Sequence, residues 1–387
     1  MGTRAFSGIL AATILAGVAF GAGYVTHAWT HPALSDFNLV DEARVLLKTH
    51  YLRSLPDPLV QQRAMIRGML EALNDPYTVY VEPAGHELET DALAGEYGGI
   101  GATMFFDTEG AVRLVPTPGG PADQAGLIEG DTLLEVDGGA LKGFSDINEI
   151  TAAVRGLAGT RVMLTLGPRS PGAGPFKVEI VRAVIELPST TGYLLPEDET
   201  VGVIAVSVFS EKTRDEILLE YRDLASRGAT AFVLDLRGNG GGLLDSAVSV
   251  SRLFMQPGLI VVEHQADSSE KSFSAQSPGE LAEIPLAVLV DGATASAAEV
   301  VAAALQQNDR APLIGLQTFG KGSVQVILPL SDGSSLHVTS AEWFTPHAET
   351  LNGVGLEPDV HVERAEDGSD TPLSAAREWL MSPGVRN

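Results

Sequence analysis

The sequence predicts an α+β multidomain protein in which a helical region, a β-rich region and an alternating α/β region follow one another. Apolar residues recur at helical spacing within residues 36–95. Short apolar segments separated by glycine turns fill residues 96–185, which is typical of strands in an antiparallel sheet. Within residues 186–383 apolar strands alternate with helical patterns, as in a sheet that is covered on both faces. A chain of 387 residues is long enough for two or three such domains.

Composition and charge narrow the functional classes. The chain is 44% hydrophobic and 19% charged, which is the balance of a folded protein. Its formal net charge of −25 argues against nucleic acid as a partner, because phosphate neutralisation needs clustered Lys and Arg. The absence of cysteine excludes disulfides, thiolate metal sites and cysteine nucleophiles. No metal-ligand motif such as H-E-x-x-H is present, and we expect no cofactor.

Residues 1–30 predict a membrane anchor or a signal segment. Arg4 is followed by residues 8–25, which carry no charge and approach the roughly 20 residues that span a bilayer. Small residues at 21–23 leave a cleaved signal peptide open as the alternative. We therefore expect either a single-pass protein of the cell membrane, with its remaining domains outside the cytoplasm, or a protein exported after signal cleavage.

The remaining elements follow in order. Two apolar stripes predict the N-terminal helices, and a turn ends them at residues 74–77. In the β-rich region we expect a helix near 146–155 and strands at 111–115, 132–136, 161–166 and 178–182. In the α/β region we expect strands at 201–208, 231–236 and 286–290 and helices at 212–226, 243–254, 295–306 and 371–381.

A serine at the start of a predicted helix is the first candidate catalytic residue. Residues 286–299 read LAVLVDGATASAAE, an apolar strand followed by a turn and an alanine-rich helix. Ser296 thus lies where free backbone N–H groups and the helix dipole stabilise negative charge. Helix capping by Thr294 or Ser296 explains the same pattern when it is taken alone. Glu299 is expected on the helix surface or in a hydrogen bond rather than as a catalytic acid.

The second candidate is a lysine between two glycines. Residues 318–326 read TFGKGSVQV, and Lys321 is predicted to open a strand in which Lys321 and Gln325 lie on the same face. Burial of a lysine favours its neutral amine, which can remove the proton of a serine hydroxyl. The alternative is a loop lysine that binds carbonyl groups.

The third candidate is a glycine cluster that follows a buried strand. Residues 235–244 read DLRGNGGGLL, so backbone amides there are free of covering side chains. Such amides can form an oxyanion hole, cradle a phosphate or simply make a tight turn. The nucleotide-binding patterns G-x-x-x-x-G-K-[ST] and G-x-G-x-x-G are absent from this segment.

Together, in this order, the three segments resemble the carboxyl-terminal processing peptidases, which are also called tail-specific serine proteases. The resemblance extends to LNDPYTVYVEP, GEYGGIGA, GGPADQAGLIEGDTLLEVDG, EWFTP and NGVGLEPDV, and it covers about residues 36–383. It implies a helical N-terminal region at 36–95, a PDZ-like β-rich domain at 96–185 and a crotonase-like α/β serine protease core at 186–383.

The resemblance also implies roles for single residues. Ser296 matches the nucleophile of the family, Lys321 its general base and Gln325 the residue that orients the lysine. The oxyanion hole is expected from the Ala297 amide and one glycine of the cluster, with Gly242 preferred and Gly241 as the second choice. This chain departs from the family pattern Asn-Pro-Gly-Gly by reading Asn-Gly-Gly-Gly at residues 239–242, which leaves the contributing glycine open.

A PDZ-like domain implies a site for peptide tails. A loop of Gly99, Ile100 and Gly101 can present amides to a C-terminal carboxylate, and the next strand can pair with the peptide. Three apolar residues of the predicted helix are candidates for the side-chain pocket, and packing within the domain explains them equally well: Ile147, Ile150 and Val154.

The sequence therefore predicts a serine endopeptidase that cleaves the C-terminal tails of exported proteins. Its expected partners are proteins with accessible apolar tails and, through the N-terminal segment, the membrane. Assembly into a homo-oligomer stays open. The alternative is a catalytically silent binding or scaffold protein on the same fold, although such a protein has no need of the serine, lysine and glutamine together.

Overall fold

The structure is a computed structural model that describes residues 38–141 and 146–383. The predicted anchor or signal segment lies outside these residues. Within them, none of the helices combines the length and the apolar character that a bilayer crossing requires. The chain divides into two compact units, one ending at Met69 and the other beginning at Leu70.

The first unit contains the two helices that the apolar stripes predict. They are α1 (Asn38–His50) and α2 (Pro58–Glu71), the second of which runs into the second unit. No residue of α1 is buried, and Leu39 and Leu46 are among its exposed apolar side chains.

The second unit begins with a β-rich domain. Its main sheet has the strand order β3-β4-β5-β7-β8, all antiparallel, with β6 paired to β5. Leu114, Ile150 and Leu164 are fully buried in its core. In chain order the elements are β1 (Val79–Val81), which belongs to a sheet of the α/β region, and then α3 (Pro83–Ala94), β2 (Glu96–Gly99), β3 (Ala102–Phe106), β4 (Val112–Pro116), α4 (Pro121–Gln124), β5 (Asp131–Val136), β6 (Gly139–Ala140), α5 (Ile147–Val154), β7 (Arg161–Leu166), β8 (Phe176–Val181) and β9 (Ala183–Glu186).

The α/β region follows, and it forms two sheets. The first has the order β10-β11-β12-β15-β16-β19, and the second has the order β1-β18-β13-β14 with β17 paired to β18. The elements are β10 (Thr190–Leu195), β11 (Asp198–Val206), α6 (Thr213–Ser226), β12 (Ala231–Asp235), α7 (Leu244–Phe254), β13 (Gly258–Gln265), β14 (Glu270–Ala275), β15 (Leu286–Val290), α8 (Ala297–Gln307), β16 (Leu313–Gly315), β17 (Ser323–Pro329), β18 (Ser335–Phe344), β19 (Val360–His361) and α9 (Thr371–Leu380).

The six-stranded sheet is buried on both faces. From β11 to β19 its strands are parallel. Phe232 and Leu234 of β12 pack in a core with α6, α7 and α8, whereas Val233 packs on the other face with α9. Burial on both sides explains why these strands read as continuous apolar runs. Because β12 and β15 are parallel neighbours, the glycine cluster and the Ser296 turn leave the sheet at the same edge.

Every strand and helix that the sequence predicts from residue 111 onward is present, with ends shifted by a few residues. The mixed architecture confirms the predicted fold class.

Candidate active site

The Ser296 backbone is strained. Its φ of 57° and ψ of −121° lie in a region that favours glycine, at the residue that caps the N-terminus of α8. The turn before it is fixed by Asp291, whose Oδ1 accepts hydrogen bonds from the amides of Ala293 and Thr294, each at 3.0 Å. Strain of this kind costs about 1–3 kcal/mol and persists only where surrounding contacts hold it.

A buried asparagine attaches the glycine cluster to this turn. Asn239 Nδ2 donates to the Val206 carbonyl at 2.9 Å, and its backbone carbonyl accepts from the Ala295 amide at 2.9 Å. Asn239 Oδ1 accepts from the Gly241 amide at 2.8 Å. The loop after β12 is therefore bonded to the residue that precedes Ser296.

Of the two glycine amides predicted to form the oxyanion hole, one is free to donate a hydrogen bond. Gly241 is wrong as an oxyanion donor because its N–H is already bonded to Asn239. Within the described part of the chain, the amides of Gly242 and Ala297 donate to no acceptor. A Cβ on Gly241 would lie 2.9 Å from the Ser296 Cβ, and one on Gly242 would lie 2.4 Å from the Phe209 carbonyl oxygen. Both positions therefore need glycine.

Glu299 joins the serine turn to the lysine loop. This residue is fully buried, at 0% exposure. Its Oε2 accepts from the Ser296 amide at 2.8 Å and from the Lys321 amide at 2.9 Å. Its Oε1 accepts from the Thr318 hydroxyl at 2.5 Å and from the Gly320 amide at 2.8 Å. The expected hydrogen-bonding role is confirmed, whereas a place on the helix surface is wrong. The sequence feature that could have predicted the hydrogen bond between Glu299 and the Ser296 amide is the S-x-x-E spacing of a capping box.

The Lys321 side chain is partly buried against an aromatic ring. Burial lowers its pKa below the ordinary lysine value, and the Glu89 carboxylate opposes part of that shift. Lys321 Nζ lies 5.4 Å from the centroid of the Tyr77 ring, within range of a cation–π interaction. Among the described residues, no hydrogen bond joins Lys321 Nζ to Ser296 Oγ.

The predicted strand position of Lys321 is wrong by two residues. β17 begins at Ser323, because the Lys321 amide is bonded to Glu299 rather than to a neighbouring strand. Gln325 Nε2 donates to Ser323 Oγ at 2.8 Å, so in this structure the glutamine orients Ser323 and not the lysine. A register shift between Val324 and Gln325 also interrupts the pairing of β17 with β18.

The Tyr77 ring is held in place by its own turn. Asp75 accepts from the Tyr77 amide at 2.9 Å and from the Thr78 hydroxyl at 2.6 Å. Thr78 Oγ1 in turn accepts from the Thr339 amide of β18 at 3.1 Å. The NDPYT segment, which the sequence predicts as the turn that ends the N-terminal helices, thereby also places an aromatic face beside Lys321.

The β-rich domain has a groove between β3 and α5. Its volume is about 360 Å³, and Ile100, Ile147 and Val154 of the predicted tail-binding set line it. Ile150 is wrong as a pocket residue because it is fully buried in the core of the domain.

The glycines of the predicted loop differ in their surroundings. Gly99 ends β2, where it pairs with Ala183 of β9, so it lies in a strand and not in the loop. Gly101 lies between β2 and β3 with a φ of 66°, and the Ile100 and Gly101 carbonyls accept from the Ala122 and Thr117 amides.

One helix borders both the groove and the lysine. Leu88 of α3 lines the groove, and the next residue, Glu89, lies 3.2 Å from His337 Nε2 of β18. On the same helix Asp91 forms an ion pair with Arg155 at 2.5 Å, and the Arg155 guanidinium lies 3.8 Å from the Tyr97 ring centroid. α3 thus connects this groove with the surroundings of Lys321, whose pKa the Glu89 carboxylate affects.

Known proteins resemble this chain over most of its length. A model of peptidase family S41 matches residues 200–362, and a PDZ domain model matches residues 113–166. The carboxy-terminal processing protease CtpA of Bacillus subtilis is 34% identical over 85% of this chain and 69% of its own length. The carboxy-terminal-processing protease of Bartonella bacilliformis is 35% identical over 82% and 73%. A solved photosystem II D1 C-terminal processing protease is 31% identical over 82% of this chain and 86% of its own, with a TM-score of 0.47.

The two family models match residues of the α/β region and of the β-rich domain, respectively. More than two thirds of each curated relative is covered at over 30% identity. The chain belongs to the carboxy-terminal processing proteases of peptidase family S41 and is a serine protease with a PDZ domain.

Proposed function

We propose that this chain cleaves the C-terminal tails of exported proteins, with Ser296 as the nucleophile and Lys321 as the general base. The observation that carries the proposal is the Glu299 carboxylate, which accepts hydrogen bonds from the backbone amides of both residues. Because one buried carboxylate binds both loops, it fixes the backbone positions of Ser296 and Lys321 relative to each other. The partly buried lysine supplies a base whose pKa is lowered.

The proposed reaction proceeds through an acyl-enzyme. The neutral Lys321 amine takes the proton of the Ser296 hydroxyl as its oxygen attacks the peptide carbonyl carbon. The amides of Gly242 and Ala297 donate to the resulting oxyanion. The Lys321 ammonium then protonates the leaving amine, and the peptide C–N bond breaks. In the second step Lys321 takes a proton from water, the hydroxide attacks the ester, and Ser296 recovers its proton as the new carboxylate leaves.

The lysine side chain must move before this reaction. Lys321 Nζ lies at the Tyr77 ring and makes no hydrogen bond with Ser296 in the described structure. Because the backbone amides of both residues are already bonded to Glu299, rotation of the lysine side chain is the change that the proposal requires. Gln325 is the proposed partner of the lysine after that rotation.

Substrate choice is assigned to the PDZ groove. We infer that the backbone around Ile100 and Gly101 binds the tail carboxylate, that β3 pairs with the tail, and that Ile147 and Val154 contact an apolar terminal side chain. The N-terminal segment is proposed to hold the protease at the outer side of the membrane or to direct its export.

A covalent label tests the assignment of the nucleophile. We expect a fluorophosphonate to form one adduct, which peptide mass analysis locates on Ser296. A peptide with a free apolar C-terminus is expected to be cleaved at least tenfold faster than its C-terminal amide, since the groove loses the carboxylate. Labelling at another serine would contradict the proposed nucleophile, and equal cleavage of the two peptides would contradict tail recognition.

Glu89 gives a prediction about pH. Its carboxylate favours the ammonium form of Lys321, so Glu89→Gln is expected to lower the lysine pKa further. The general base must be neutral, and the rise of kcat/KM with pH should therefore move to lower pH. A pH–rate profile measures this shift. The exposed Glu129→Gln serves as the matched control, and an unchanged or upward shift in Glu89→Gln would contradict the proposed base.

A further inference from the structure

β17 presents an unpaired and apolar strand edge beside the candidate base. Among the described strands it pairs with β18 alone, which leaves the backbone groups of its other edge without a sheet partner. Val326, Ile327 and Leu328 are exposed at 43%, 36% and 46%. No charged residue occurs from Gly322 to Leu330, in a chain of net charge −25. An edge of this length and character is a template for pairing with another extended chain.

The position of this edge is fixed relative to the nucleophile. β17 begins two residues after Lys321. The Lys321 amide shares the Glu299 Oε2 acceptor with the Ser296 amide, at 2.9 and 2.8 Å. The Gly322 carbonyl accepts from the Trp343 amide at 2.8 Å, which continues the attachment into β18. The strand therefore leaves the candidate catalytic centre along a path that its backbone hydrogen bonds determine.

We propose that β17 is the substrate-pairing strand of the protease, on which an extended apolar segment of the substrate adds as a further strand. The inference rests on the proposed function, because it places the paired segment next to the bond that Ser296 attacks. Main-chain hydrogen bonds bind an extended peptide regardless of its side chains, which suits unstructured tails. The exposed Val326, Ile327 and Leu328 add apolar contacts on both faces of the strand. This site is separate from the PDZ groove, which binds the end of the tail.

N-methylation of the substrate backbone tests the pairing in the wild-type protein. A strand offers every second N–H to its neighbour, so methylation along a cleavable peptide should lower kcat/KM with a period of two. Loss of one hydrogen bond is expected to cost about 3- to 10-fold at each sensitive position. A loss without this period, or none on either side of the cleaved bond, would overturn the proposal.

A charge swap tests the strand itself. Ile327→Lys places a charge on the edge and is expected to raise KM for an apolar substrate about tenfold, with a smaller change in kcat. In a series of substrates that each carry one glutamate at a different position, one substrate should restore a low KM for Ile327→Lys, because opposite charges on paired strands attract. The matched control is Val181→Lys on β8, another edge strand with a side chain 51% exposed. An unchanged KM in Ile327→Lys would overturn the proposal.

Two further measurements separate the other outcomes. Fluorophosphonate labelling reports whether the serine site has formed. A wild-type protein that is not labelled contradicts the proposed function. If only Ile327→Lys is not labelled, that variant is misfolded, and the N-methylated substrates alone then test the pairing. Sedimentation reports whether a second copy pairs with β17. A wild-type dimer that Ile327→Lys converts to a monomer with unchanged kcat/KM would overturn the substrate assignment.

Discussion

Replacing Lys321 with alanine is expected to reduce kcat/KM for a tailed substrate by about 10⁴-fold or more, as is replacing Ser296 with alanine. Without Lys321, no base remains to take the serine proton. Without Ser296, no acyl-enzyme forms. Because the two residues act in one step, the double variant should be no slower than the slower single variant. Steady-state cleavage of a fluorescent tailed peptide measures all three.

The matched control for the lysine is Lys177→Ala on the exposed side of β8, which should cleave at the wild-type rate. Circular dichroism and thermal unfolding check that each variant is folded. The assignment fails if a folded Lys321→Ala protein keeps more than about one hundredth of the wild-type kcat/KM, a loss smaller than most general-base substitutions cause.

Replacing Glu299 with glutamine is expected to lower both activity and stability. The carboxylate accepts four hydrogen bonds, two at each oxygen. An amide keeps one oxygen and turns its NH₂ group toward two donors, which leaves those donors buried and unpaired at a cost of about 1–3 kcal/mol each. The Ser296 and Lys321 loops should then lose their common anchor, and we expect kcat to fall at least 100-fold.

Two readouts distinguish positioning from stability in Glu299→Gln. Thermal unfolding gives the loss of stability, and the rate of fluorophosphonate labelling in the folded protein gives the loss of serine reactivity. The exposed Glu357→Gln is the control. A variant that is less stable but is labelled at the wild-type rate would show that Glu299 contributes to folding alone.

Local patterns were sufficient to predict most of the fold. The strand β15, its turn and α8 follow from an apolar run, Asp-Gly and an alanine-rich segment, which are all short-range signals. The parallel arrangement of the core sheet follows from the alternation of strands and helices. Residues of the candidate active site that belong to such segments, such as Ser296 and Gly242, could therefore be predicted from the sequence.

Long-range contacts were not predictable in the same way. Tyr77 and Lys321 are far apart in sequence, and their contact depends on the bond between Thr78 and Thr339 of β18. Helical periodicity identifies α5 as amphipathic, yet it does not separate Ile150, which packs in the core, from Ile147, which lines the groove. The Gly241 amide was excluded only by a side chain, that of Asn239, whose rotamer the sequence does not encode locally.

The two-sided burial of the core sheet has a consequence for hydrogen exchange. Val233 of β12 and Val288 of β15 are completely buried, and they belong to the cores on opposite faces of the sheet. Amides in such strands exchange with solvent mainly through global unfolding, because no smaller opening exposes them. The glycine cluster and the Ser296 turn continue directly from the ends of these strands. Their alignment should therefore last as long as the folded domain itself.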